Sequence, residues 1–127
     1  MNPTDAPREL LTLAERDGKA ALILARAPEP QMDAAGFHLQ QMVEKSLKAW
    51  MALKNIDYLK THDLSLLLRL LEDAGEDIEP FWPLLRLNPF VVQFRYEIPG
   101  EGFPDFERNA QLAGRLLTHV KSLLAND

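Results

Sequence analysis

Cysteine does not occur among the 127 residues, and its absence removes disulfides, thiolate metal sites and a cysteine nucleophile together. With no redox chemistry to mark a compartment, a reducing cytoplasm is the default expectation. No apolar run approaches the roughly 18 residues needed to span a bilayer. The opening "MNPTDAPREL" has no basic segment leading into an apolar stretch, so it does not read as a secretory signal. Positive charge is also scarce: 14 Lys and Arg stand against 19 Asp and Glu, a net charge of -5. That balance argues against a general, sequence-blind nucleic-acid binder and leaves room only for a local basic site. No H-E-x-x-H, P-loop or glycine-rich dinucleotide fingerprint occurs, and the Asp, Glu and His spacing offers no metal cage, so neither a metal nor a cofactor is expected.

What is present is a chain that is 46% hydrophobic, enough to build one core without staples, and its length predicts a single domain over residues 1–127. The pattern is helical throughout. A first helix is predicted from near Pro7, with Asp5 or Thr4 to cap it and Leu10, Leu13, Ala14, Ala21 and Leu24 near one stripe, before "APEP" breaks the chain. A second helix is predicted from Asp33 as cap, with Met32 and Phe37 as a hydrophobic staple and Leu39, Met42, Val43, Leu47, Trp50 and Leu53 as its apolar face. His38, Gln41, Lys45 and Lys48 follow steps of three, four and three, which makes one polar stripe.

A third helix is expected to be capped by Thr61, with Asp63 in its first turn, and to end at Gly75 in the left-handed conformation. "EDIEPFWPLLRLN" should form only a short, interrupted helix, and Asn88 with Pro89 should start another through "NPFVVQFRYE". Asp105 is expected to cap a last helix that buries Phe106, Ala110, Ala113, Leu117, Val120 and Leu124. The predicted fold is therefore all-α, an antiparallel up-and-down four-helix bundle with an extra broken helical segment before the last helix. Trp50 reads as core; Phe81, Trp82, Phe90 and Phe94 read as core or dimer surface. The leucine-rich third helix and "FWPLLRLNPF" carry more apolar surface than one bundle needs, which predicts a dimer.

Three features occur in order: Gln41, Glu44, Lys45 and Lys48 as "Q-x-x-E-K-x-x-K", then Thr61 to Leu64 as "T-H-D-L", then Arg95 and Tyr96 as "R-Y". With the helix order, they make the chain resemble the HEPN domain family (higher eukaryote and prokaryote nucleotide-binding). The resemblance implies a helical bundle, commonly a homodimer. It also implies a small MNT-type nucleotidyltransferase as partner in a toxin–antitoxin type module, and nucleotide or RNA as ligand. Catalytic members use an arginine followed, after four to six residues, by a histidine. From Arg95 the histidine positions are Gly100, Glu101 and Gly102, and from Arg108 they are Ala113, Gly114 and Arg115, so the motif is missing.

An RNase of this kind needs a base for the 2′-hydroxyl and a cation for the phosphate. The remaining catalytic candidates are His62, His119 and Arg115, the last two read together as a near-miss or a solvated surface pair. The candidate phosphate-binding residues are Arg95, Tyr96, Lys45, Lys48, His62 and His38. Each has a plainer reading: Thr61, His62 and Asp63 as a cap, Glu44 and Lys48 as an i,i+4 pair on an exposed face, and Arg95 paired with Glu97 or another carboxylate.

Overall fold

The computed structural model describes residues 5–58, 60–91 and 105–126. These residues are all-helical: α1 (Asp5–Ala25), α2 (Met32–Leu53), α3 (Leu64–Asp73), a 3₁₀ helix (Glu79–Val91) and α4 (Phe106–Ala125). Among them no helix is long and apolar enough to cross a membrane.

α2 is the centre, touching every other element. Its apolar face is the expected one, with Leu39, Val43, Leu47 and Trp50 buried. α1 runs antiparallel to it, because Gln31 N–H donates to the Leu24 carbonyl at 2.9 Å at one end while Asp17 reaches His38 and Lys45 further along. Gly18 allows the two helices to approach closely, since a Cβ there would lie 2.9 Å from the Met42 sulfur. α1 is antiparallel to α4 as well: Arg26 pairs with Glu107, and Glu15 with Lys121.

The buried stripe of α1 departs from the expected one at one position: Ala14 and Ala21 are buried and Leu10 and Leu24 pack against the core, but Leu11 is buried while Leu13 is 40% exposed. The stripe that wins, Pro7, Leu11, Ala14, Ala21, keeps steps that hold one helix face and carries Asp17 into the interface with α2.

Helix ends also sort into matches and corrections. Gly75 ends α3 at φ +88°, with Glu76 N–H donating to the Leu71 carbonyl and Gly75 N–H to the Glu72 carbonyl, the paired pattern of a left-handed C-terminal cap. Asn55, at φ +57°, closes α2 the same way. The cap of α3 is Asp63 and not Thr61: its carboxylate accepts from Ser65 N–H at 3.0 Å, while Thr61 Oγ1 accepts from Asp63 N–H. At α2 the helix begins one residue before Asp33, whose carboxylate accepts only from Ala34 N–H. Asp105 flanks α4 without a side-chain cap bond and lies 3.8 Å from Arg86.

The largest departure is the segment after α3. In place of a short interrupted helix, a 3₁₀ helix runs from Glu79 to Val91 through Pro83 and Pro89. Its sequence has a three-residue period, and Ile78, Phe81, Leu84 and Leu87 are all buried, which is the repeat of a three-per-turn helix and not of an α-helix. Asn88 starts nothing: it lies inside this helix and turns back to α3, accepting from Leu64 N–H at 2.9 Å and donating to Asp63 Oδ1 at 2.9 Å. Leu64, Leu67, Leu68 and Leu71 are buried within the chain, so the core takes up apolar surface that the sequence reading assigned to a dimer. Residues 92–104, including Phe94, lie outside the described residues.

Candidate functional site

Two carboxylates on the helix interfaces organise the polar groups. Asp17 of α1 accepts from Lys45 Nζ at 2.5 Å and meets His38 Nδ1 at 3.0 Å. Glu44 of α2 accepts from Lys48 Nζ at 3.2 Å and meets His62 Nδ1 at 2.9 Å. Gln40, fully buried, donates to Glu44 Oε1 at 3.2 Å and to the His62 carbonyl at 3.3 Å, and Gln41 donates to Gln40 at 2.7 Å. The single stripe expected of α2 therefore divides, with His38 and Lys45 gathered on one acid and Lys48 on the other. The Glu44–Lys48 pair forms as expected but not on an exposed face, because both side chains are largely covered.

The linker between α2 and α3 makes the second cluster possible. It leaves the last turn of α2, passes Tyr58, whose ring lies 5.6 Å from Lys48 Nζ, and returns to the middle of α2 at His62. α3 then starts beside Glu44 and ends beside the last turn of α2, where Glu76 Oε1 accepts from Trp50 Nε1 at 2.8 Å and pairs with Lys54 at 3.7 Å.

A carboxylate only accepts, so the His62 nitrogen facing Glu44 is the one that carries hydrogen. In the neutral ring the other nitrogen, Nε2, is then a free lone pair. The imidazole is 65% exposed while Glu44 is 5% exposed. The arrangement is chemically that of a base oriented by a buried acid, with an ammonium group alongside. The N-terminus of α3, by contrast, is filled by its own chain. Asp63 and Asn88 take its first N–H groups, and hydrogen bonds from Asn88 and then Ser65 hold the Asp63 carboxyl below its ordinary value.

The other sequence candidates fall elsewhere. Arg95 and Tyr96 lie outside the described residues. Arg115 is exposed and His119, four residues on, is half-buried. Its ring packs 4.8 Å from Trp50 and 5.9 Å from Phe81, because position 119 borders the buried α4 stripe of Leu116 and Val120. Gly114, one of the places where the arginine–histidine motif would put its imidazole, lines a shallow groove with Gln111, Arg115, Thr118 and His119. Two residues went unnoticed as organisers in the sequence, Asp17 and Gln40. Asp17 had a readable signal: an acid in step with Leu11, Ala14 and Ala21.

Among the described residues no group of three or more His, Asp or Glu could hold a metal ion. The sequence pattern of the HEPN domain matches residues 7–125. The chain belongs to the HEPN domain family. That membership supports a nucleotide- or RNA-related role for the HEPN fold described above. No curated protein and no solved structure matches the chain.

Proposed function

We propose that this HEPN protein binds the phosphate of a nucleotide or RNA at the Glu44 cluster, and acts as a homodimer beside an MNT-type nucleotidyltransferase in a toxin–antitoxin type module. The observation that carries the binding step is the exposed His62 ring and the Lys48 ammonium, both fixed by one buried carboxylate at the mouth of the α2–α3 linker. A phosphate there would meet the Lys48 ammonium already held in place and, when the ring is protonated, an Nε2–H donor from His62, so little side-chain entropy is lost on binding. Arg95 and Tyr96 would complete the site from the segment after the 3₁₀ helix, the arginine as a fork on phosphate and the tyrosine as a stacking face. Lys45 and His38 contribute less, because their bonds to Asp17 fasten α1 to α2 and the His38 ring is 35% exposed against 65% for His62. The up-and-down antiparallel plan belongs to α1, α2 and α4, with α3 as a short leg after the returning linker.

Thermal unfolding tests the binding step: a ligand that binds only the folded chain raises its stability by mass action. Uridine or adenosine monophosphate should raise the midpoint of the wild type and not that of Lys48→Gln or His62→Ala. An equal shift in all three removes the Glu44 cluster as the site. The module is tested by co-expressing a small nucleotidyltransferase encoded in an adjacent reading frame and asking whether the two co-elute.

The Glu44–His62 contact also favours a second reading, a metal-independent RNase in which His62 stands in for the motif's histidine. In that reaction His62 Nε2 takes the 2′-hydroxyl proton, the 2′-oxygen bonds to phosphorus, and the bond to the 5′-oxygen breaks as that oxygen takes a proton from water. Cleavage of RNA in the presence of a chelator that disappears in His62→Ala supports it. Cleavage that survives in His62→Ala but is lost in His119→Ala or Arg115→Ala moves the chemistry to α4.

A further inference from the structure

The cations expected to bind phosphate on α2 are held by carboxylates, but another set is not. Arg8, Thr12, Arg16, Lys19, Ile23 and Arg26 are all exposed, and their steps of four, four, three, four and three keep them within an arc of about 80° on a helix of 3.6 residues per turn. Between Arg8 and Arg26 no acid shares that arc. Glu9 and Glu15 flank it, and Glu15 is engaged by Lys121. Arg8, Arg16 and Lys19 have no carboxylate partner among the described residues. Arg26 meets Glu107 only at 3.7 Å with both side chains exposed, a contact of little strength. The result, in an acidic protein, is a basic ridge one side chain wide and about 27 Å long at 1.5 Å per residue, with Ile23 70% exposed upon it.

We propose that this ridge is a docking surface for the phosphate backbone of single-stranded RNA, separate from the Glu44 cluster. The proposal rests on the RNA-related reading of the chain and adds a second surface to it. Three observations choose the occupant. A two-fold contact between α1 helices would set like charges against each other. The exposed acids Glu72, Asp73, Asp77 and Glu79 follow from the end of α3, and α1 touches neither α3 nor the 3₁₀ helix. Ridge and acidic turn are thus separate surfaces, and a head-to-tail contact between them in successive copies would build rings or open filaments. An extended strand presents its charges in file, as the ridge does, whereas a folded acidic protein presents a patch. Three of the four cations are arginines, whose planar fork matches a phosphate, and Ile23 offers an apolar ledge for a base. With its cations on phosphates, the ridge leaves only Thr12 to reach a base edge, so binding is sequence-tolerant.

Fluorescence anisotropy of a labelled twelve-residue oligouridylate, titrated with the full chain at several salt concentrations, tests this. Neutralising three to four phosphates gives a log–log salt slope of about -2 to -3 for a single strand. The double variant Arg16→Gln/Lys19→Gln should lower the slope by about 1.4 and weaken binding at least about tenfold at low salt, with unchanged helical circular dichroism because both positions are exposed. Arg69→Gln, exposed on α3 and outside both the ridge and the Glu44 cluster, should keep the wild-type slope. A double variant with the wild-type slope and affinity overturns the ridge and leaves the RNA reading standing, as does an equal loss of slope in Arg69→Gln. A wild type that binds no oligouridylate at low salt removes the RNA reading and the ridge with it. Equal binding of polyglutamate of the same length assigns the ridge to an acidic protein and overturns the proposal.

Discussion

The Asp17 and Glu44 clusters contain the same three groups, a covered carboxylate, a lysine and a histidine bound through Nδ1, yet they do different work. Asp17 lies on α1 and takes both partners from α2, so its bonds join two helices, and His38 is 35% exposed. Glu44 takes its lysine from its own helix and its histidine from a linker, so its bonds tie a linker to α2 and join no two helices, and His62 is 65% exposed. Identical chemistry thus fastens a bundle in one place and presents an imidazole in the other. What differs is the element that supplies the histidine: a helix fixes the ring against its neighbour, and a returning linker turns it outward.

Removing each acid should expose that difference. Glu44→Ala leaves Lys48, 14% exposed, without its partner, and breaking a covered ion pair from one side should cost about 3 kcal/mol in denaturant unfolding. Asp17→Asn should cost less, about 1 to 2 kcal/mol, because Lys45 and His38 can reach water. The inverse ranking would mean that the α1–α2 fastening outweighs the covered pair. Asp63→Ala comes next, losing an N-cap worth about 1 kcal/mol, or about 4 °C in melting temperature. The Asp63 carboxyl is held below its ordinary value of 3.8 in the folded chain. Its charged form therefore stabilises the fold above that pH, and the contribution is lost as the pH falls below it. Unfolding curves of wild type and Asp63→Ala should converge as the pH is lowered through that range. Smallest of all on stability is His62→Ala, within about 0.5 kcal/mol, although it should abolish the nucleotide-induced rise in melting temperature.

The two clusters were unequally legible. Lys45, Lys48 and His38 could be read as a polar stripe because helix periodicity places side chains on a face. Which acid each would find depended on a second helix and a linker, and periodicity within one helix carries no such information. Asp17 was within reach, since an acid in step with buried residues on α1 demands a cationic partner on whatever covers it. The long helices, Trp50 and the left-handed glycine at position 75 were read correctly because each rests on a local rule. The 3₁₀ helix was missed because prolines were counted as breaks, whereas the three-residue spacing of Ile78, Phe81, Leu84 and Leu87 was the stronger signal. Asn88 was misplaced for a related reason: a cap side chain can serve a helix distant in sequence, and here it serves α3.

The nitrogen NMR of the two histidine rings, with and without a saturating nucleotide or short RNA, tests the contrast most directly. Both neutral rings should carry hydrogen on Nδ1, and ligand should move the His62 Nε2 resonance while leaving that of His38 in place. A His62 ring protonated on Nε2 alone, or a bound ligand that shifts His38 and not His62, would contradict the assignment of presentation to one cluster and fastening to the other.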